Sequence, residues 1–178
     1  MDQILKATNK DIAELNELIN SAYRGDSAKE GWTNESEFLD GIRIDESELS
    51  KIINNEKNTI LKYIRKTKIV GCVLLEQQED EIYLGMLTVK PILQATGIGK
   101  KLLIASEQFA RSKKYYKIKM TVISIRTELI DWYKRFGYVD TSERKPFISI
   151  DNKFGIPKQP LEFIVMTKAI SSLSAANT

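Results

Sequence analysis

Histidine is absent from all 178 residues, and cysteine occurs once, as Cys72. Without imidazole, neither a Ser-His-Asp nor a Cys-His nucleophilic site can be assembled, and every histidine-bearing metal motif is excluded. A single cysteine closes no intrachain disulfide and leaves a zinc site short of ligands, so no metal is expected. Cys72 lies inside the apolar run Ile69-Val70-Gly71-Cys72-Val73-Leu74-Leu75. No cation stands near it to stabilise a thiolate, so it reads as a buried structural thiol. Whatever chemistry this chain performs, it performs without imidazole.

Other absences narrow the field further. No apolar run approaches the ~20 residues that span a bilayer. The opening Met1-Asp2-Gln3-Ile4-Leu5-Lys6 has no basic region followed by an apolar stretch, so no secretory signal is expected and the chain is assigned to the cytoplasm. Net charge is only +3, with no segment dominated by Lys or Arg, which argues against a nucleic-acid partner. A local basic patch for a phosphate-bearing ligand remains compatible with that balance. The 42% hydrophobic and 29% charged content is that of an ordinary globular protein. The length suits one core, so we expect a single domain over residues 1–170 and a flexible tail at 171–178.

What is present reads as a mixed α/β chain. Gln3 to Ala7 suits a short strand, and Ile12, Leu15, Leu18, Ile19 and Ala22 recur at helical spacing behind a Thr8–Asp11 cap. Tyr23 to Glu35 is polar and irregular. Asn34 with Glu37, and Asp45 with Glu48, each resemble a capping pair opening a short helix. Thr59–Arg65, Ile69–Gln77 and Glu81–Val89 are three extended runs joined by spacers short enough for hairpins. A helix follows the glycine-containing loop after Pro91, then a strand at Lys117–Ile123 and a helix from Thr127 to Phe136 that stops at Gly137. Two last strands are expected near Tyr138–Ser142 and Leu161–Lys168, with a Gly- and Pro-bearing loop, Phe154–Pro160, between them. The order is βαααβββαβαββ: a central, largely antiparallel mixed sheet flanked by helices.

The informative stretch is Leu87-Thr88-Val89-Lys90-Pro91-Ile92-Leu93-Gln94-Ala95-Thr96-Gly97-Ile98-Gly99-Lys100-Lys101-Leu102. A strand ends, the chain turns, and two glycines open a long helix. Unpaired amides at the positive end of a helix dipole suit a phosphate or pyrophosphate. Glycines permit close approach and the positive φ of an anion nest, so a Val at Gly97 or Gly99 is expected to block it. Lys100 and Lys101 add charge. A P-loop would need glycine where Gln94 stands and Ser or Thr where Lys101 stands, and fails at both. A dinucleotide fingerprint would need a third glycine at Leu102.

Val-x-Pro-x-x-Gln-x-x-Gly-x-Gly, from Val89 to Gly99, resembles the coenzyme A pyrophosphate motif of the GNAT superfamily of N-acetyltransferases. Downstream, Trp132-Tyr133-Lys134-Arg135-Phe136-Gly137-Tyr138 is similar to that family's Leu-Tyr-x-x-x-Gly-Phe signature. The resemblance implies the GNAT-like acyl-CoA acyltransferase fold, its sheet splayed between the fourth and fifth strands, with acetyl-CoA in the cleft. Gly85, inside a strand, marks a bulge or a close backbone approach in support of that splay. Backbone groups of Leu87, Thr88 and Val89 would then bond pantetheine as an added strand does. Amides of Gln94, Ala95, Thr96, Gly97, Ile98, Gly99 and Lys100 would hold the pyrophosphate.

The implied reaction is acetyl transfer to a primary amine by direct attack in a ternary complex. Such chemistry needs positioning, an oxyanion donor and a proton for the departing thiolate. The resemblance gives Tyr133 the last role, and a phenol is matched to a thiolate. A backbone N–H near Leu87 would meet the oxyanion, and Glu81 and Glu35 are the candidate bases. Arg126 stands seven residues before Tyr133, where the family commonly has Asn. Its fork would have to reach the coenzyme's phosphate or pantetheine without an acceptor of its own. Tyr23, Arg24, Trp32, Glu35 and Phe147 are the expected acceptor site. The partners are therefore a small-molecule or peptide amine, with no nucleic acid and no membrane, on a monomer or homodimer. A non-catalytic coenzyme A sensor on the same fold, or a nucleotide-binding regulator, are the alternatives.

Overall fold

The computed structural model describes residues 2–148 and 153–172. Seven strands form one sheet: β1 (Gln3–Lys6), β3 (Asn58–Arg65), β4 (Lys68–Gln77), β5 (Ile82–Val89), β6 (Lys117–Ile123), β7 (Val139–Pro146) and β9 (Glu162–Ala169). Their order is β1-β3-β4-β5-β6-β9-β7, antiparallel throughout except for the parallel β5–β6 pair. Two-residue strands β2 (Leu39–Asp40) and β8 (Ile156–Pro157) pair separately. The helices are α1 (Ile12–Tyr23), α2 (Gly25–Ala28), α3 (Glu46–Asn54), α4 (Ile98–Ser112) and α5 (Thr127–Arg135).

Both sheet faces are covered, which is why β4 reads as an unbroken apolar run rather than an alternation. On one face Cys72, Leu74 and Ile60 pack against Leu15, Leu18 and Ile19 of α1 and Leu49 of α3. On the other, Val73, Leu75 and Ile118 meet Leu102 and Leu103 of α4 and Ile130 of α5. Burial also pushes the Cys72 thiol up to about 12, so it stays an inert thiol. The parallel pairing of β5 with β6 follows from the α4 crossover, which carries the chain over the sheet and returns it alongside.

Several local expectations are corrected. No helix opens at Asn34; its carboxamide Oδ1 instead accepts from the amide and hydroxyl of Ser36, closing a side-chain turn that competes with helix formation. The short helix of that region is α2, earlier in the chain. Asp45 does cap α3, accepting from the Glu48 amide at 2.8 Å. The last hairpin runs longer than expected, to Pro146, and the loop after Phe154 contributes β8. Ser171, the first residue of the expected tail, accepts a bond from Arg111 at 3.1 Å, while 173–178 lie outside the described residues. No described helix is long and apolar enough to cross a membrane.

Candidate active site

The sheet opens into a V. β5 pairs with β6 only at Ile82–Ile118 and Tyr83–Lys119, then diverges, leaving its backbone groups on that side without a strand partner. A bulge bends it: Cys72 faces Thr88 and Leu74 faces Gly85, so Met86 and Leu87 together oppose Val73. One extra residue on one strand sharpens twist and turns the edge outward. The residue in the left-handed region is Met86 (φ 47°) rather than the neighbouring Gly85. Gly85 serves close packing instead, since a Cβ there would stand 3.2 Å from the Tyr83 ring. The Tyr23 hydroxyl donates to the Leu87 carbonyl at 3.0 Å, tying the end of α1 to the bulge.

The loop beyond β5 forms an anion nest. Ala95 (φ 62°) and Gly97 (φ 88°) are both left-handed, turning successive amides toward one side. Among the described residues, no amide from Ala95 to Lys100 donates to a protein acceptor, and the first helical bond of α4 runs from Lys101 to the Gly97 carbonyl. A Cβ on Gly97 would meet nothing within 4 Å, so that side of the loop is an open cradle. Gln94 departs from expectation: its amide donates to the Pro91 carbonyl at 3.1 Å. Its side chain reaches the Val89 carbonyl and the Thr33 amide, both at 3.4 Å, and lies where a Cβ on Gly31 would be. Gln94 thus clamps the loop around residues 31–33 to the end of β5. Gly99 is needed for packing, because a Cβ there would come within 3.2 Å of Trp132. Lys100 reaches the cleft, whereas Lys101 turns away and donates to the Tyr63 hydroxyl at 3.1 Å.

Two cavities of about 450 Å³ each meet at the V. The first lies between the outer half of β5, the nest and α5, and is bordered by Trp32, Thr33, Lys100, Trp132 and Arg135. The second lies on the other side of the splay, bordered by Arg24, Glu35, Arg43, Tyr83 and Phe147. Tyr23, Leu87, Arg126, Leu129 and Tyr133 border both, which puts the passage between them at Tyr133. Arg135 escaped the sequence reading, yet it follows Trp132 by three residues on α5 and so shares its face.

Tyr133 is 5% exposed. Its ring packs edge-on against Trp132 at 5.1 Å and Tyr138 at 5.7 Å. Gly137 (φ 86°) makes this possible by ending α5 in a tight turn, with the Tyr138 amide returning to the Tyr133 carbonyl. The Tyr133 hydroxyl makes no hydrogen bond among the described residues. Burial raises the phenol well above its ordinary value, so it stays protonated throughout the neutral range. Burial likewise raises Tyr23.

The remaining expected residues separate into those brought together and those left apart. Glu35 is buried between two arginines: Oε1 accepts from Arg126 at 3.0 Å and Oε2 stands 3.1 Å from Arg24. Arg126 also donates to the Thr33 hydroxyl at 2.6 Å. Its guanidinium therefore braces the loop rather than reaching freely into the first cavity. Trp32 leaves the expected acceptor group; it stands 6.3 Å from Trp132 on the first cavity's rim. Glu81 reaches neither cavity. It sits at the closed end of the V, bound to Lys117 at 2.6 Å and to Lys119. A carboxylate fixed by two ammonium groups there has no route to an amine in the cleft.

Comparison with known proteins agrees with this architecture. The sequence profile described as the acetyltransferase (GNAT) domain matches residues 22–151, and the chain belongs to that family. The ribosomal-protein-S18-alanine N-acetyltransferase of Escherichia coli superposes with a TM-score of 0.73 at 14% identity, over 100% of this chain and 99% of that one. The PaiA N-acetyltransferase of Thermoplasma acidophilum, solved in complex with coenzyme A, gives 0.70 at 18%, over 95% and 99%. YncA of Salmonella typhimurium, solved with its cofactor acetyl-CoA, gives 0.70 at 17%, over 100% and 99%. At such identities the likeness is one of fold. No curated protein matches the chain.

Proposed function

We propose that this acetyltransferase moves an acetyl group from acetyl-CoA to a primary amine by direct attack in a ternary complex. The observation that carries the reading is the continuity of the first cavity. Of the six unbonded amides from Ala95 to Lys100, those of Ala95, Gly97, Gly99 and Lys100 belong to residues that border the same cleft as the outer half of β5, and Tyr133 stands where that cleft meets the second cavity. The cradle fits a pyrophosphate: its amides converge, Gly97 leaves room, and Lys100 and Arg135 supply charge. Leu87, Thr88 and Val89 offer backbone groups to an extended pantetheine arm, as an edge strand does to an added one.

Bound acetyl-CoA supplies the thioester carbonyl that the amine attacks and the thiolate that leaves. The chain's own residues position the reactants and manage charge. Tyr133 delivers its hydroxyl proton toward the departing sulfur. Backbone N–H groups at the bulge near Leu87 meet the developing oxyanion. Glu35 acts as counter-ion to Arg24 and Arg126, and proton removal from the amine falls to solvent in the second cavity.

Thermal unfolding with acetyl-CoA, coenzyme A, ATP and NAD tests the cofactor. A ligand at about 100 times its Kd adds ~2.7 kcal/mol, a midpoint rise of roughly 5–10 °C for a domain of this size. Both coenzymes should produce it, and ATP and NAD should not. Tyr133→Phe should lower kcat by ~10²-fold or more, the usual range for a positioned acid, while the coenzyme's midpoint shift stays as in the parent. Equal turnover in the variant removes Tyr133 from the mechanism. Coenzyme binding with no transfer to any amine favours the sensor alternative.

A further inference from the structure

The second cavity carries an unusual charge for an amine site. Arg24, Arg43 and Arg126 border it against two carboxylates, Glu35 and Glu48. Glu48 is held on the outside by Lys51 at 2.5 Å, and Glu35 is already shared between Arg24 and Arg126. The guanidinium of Arg43 has no ion pair or hydrogen bond among the described residues; it lies over the Tyr23 ring, 5.4 Å from the centroid. Arg24 is 8% exposed; its Nη1 is spent on the Glu35 carboxylate at 3.1 Å, while its Nε makes no hydrogen bond and no ion pair. Buried donors without acceptors are rare enough in native structures to require an explanation, and a guanidinium fork is shaped for a carboxylate. Much of the remaining lining is apolar and aromatic, with Leu39, Ile52, Phe147, Phe154 and Phe163.

We propose that the acceptor is a small aminocarboxylate with an apolar body, its carboxylate held by Arg43 with the unpaired Nε–H of Arg24 beside it, and its amine directed to Tyr133. The assignment rests on the acetyltransferase reading above and names its substrate class. A site with this surplus of guanidinium repels a polyamine and accepts a zwitterion. The same surplus favours the neutral form of the bound amine, because nearby like charges disfavour its protonation. That supplies a reactive nucleophile where no free carboxylate base stands. The step balances: the amine nitrogen bonds the acetyl carbon as the carbon–sulfur bond breaks. The ammonium proton goes to solvent before attack; the sulfur takes the Tyr133 proton and leaves as the thiol, and the second proton, shed by the nitrogen as the amide forms, returns to the phenolate through solvent in the cavity.

The test pairs phenylalanine with phenylalaninamide, phenethylamine and spermidine as acceptors, following thiol release from acetyl-CoA. Phenylalanine should exceed each carboxylate-free amine in kcat/KM by roughly 10- to 150-fold, the range of one charge-assisted contact. Arg43→Gln should bring the ratio near unity by lowering phenylalanine alone. Equal or better turnover of the carboxylate-free amines overturns the substrate class and leaves the acetyltransferase reading intact. A second measurement needs no turnover: N-acetylphenylalanine and N-acetylphenethylamine are compared as thermal stabilisers of the coenzyme A complex. Stabilisation by the acid alone, lost in Arg43→Gln, supports the site even if no acceptor in the panel reacts. No stabilisation by the acid, or equal stabilisation by both, overturns it.

Discussion

Removing Glu35 should reveal whether it is a base or a structural counter-ion. Its side chain is 11% exposed and lies between Arg24 and Arg126, themselves 7% and 6% exposed in their side chains. Glu35→Ala leaves two buried guanidiniums without the carboxylate they share. Breaking a buried pair by deleting one partner costs about 3–5 kcal/mol, mostly the desolvation of the charge left behind. With ~2.1 cal/mol/K of unfolding entropy per residue over 178 residues, each kcal/mol shifts the midpoint by about 2.7 °C. The expected fall is therefore about 8–13 °C, read by calorimetry at low salt and neutral pH. Glu35→Gln keeps the shape and one acceptor, so it should lose less stability. Its pH–rate profile should keep the parent's acid limb if Glu35 takes no proton in turnover. A midpoint fall below about 3 °C in the alanine variant would mean that the arginines find solvent without rearrangement, and the counter-ion argument fails. Loss of the acid limb in the glutamine variant would instead restore Glu35 as the base.

Two further expectations follow from the same geometry. Gly97→Val places a Cβ in open space, so only the left-handed φ opposes it, at a cost of about 1–2 kcal/mol; the fold should persist while the coenzyme-dependent midpoint rise disappears. Gly99→Val should instead destabilise by about 1–3 kcal/mol through collision with Trp132, and unchanged coenzyme affinity at position 97 would refute the cradle. At Glu81, burial opposes ionisation, but the hydrogen bonds from Lys117 and Lys119 outweigh it and hold the carboxyl below its ordinary 4.5. A carboxyl depressed on folding contributes stability above its unfolded pKa and loses it as pH falls toward the folded one. Urea melts should therefore show parent and Glu81→Gln converging below about pH 4.5, and a gap that widens in acid would contradict the assignment.

Much of this was legible in the chain itself. The apolar runs of β3, β4 and β5, joined by connections of two and four residues, admit little but hairpins, and Gly97 ahead of the amphipathic α4 is a local device that works wherever it is placed. The Trp132–Tyr138 run carried both an aromatic cluster and its own stop signal, Gly137, and its resemblance to the family signature singled out Tyr133. These features depend on neighbours within a few residues, where backbone sterics and side-chain periodicity act directly. What the tertiary structure decided was which distant groups share a charge or a wall. Glu35 and Arg126 are 91 residues apart in sequence and 3.0 Å apart in space. Glu81, equally plausible as a base by composition, was drawn to Lys117 and Lys119 by the register of β5 on β6. Trp32 went to the rim of the first cavity, where Trp132 lies 6.3 Å away. Gln94 matched a motif of backbone donors but used its amide on Pro91 and its side chain as a clamp. Hydrogen-bond and ion-pair partners compete across the whole folded surface, and no local pattern encodes the outcome of that competition.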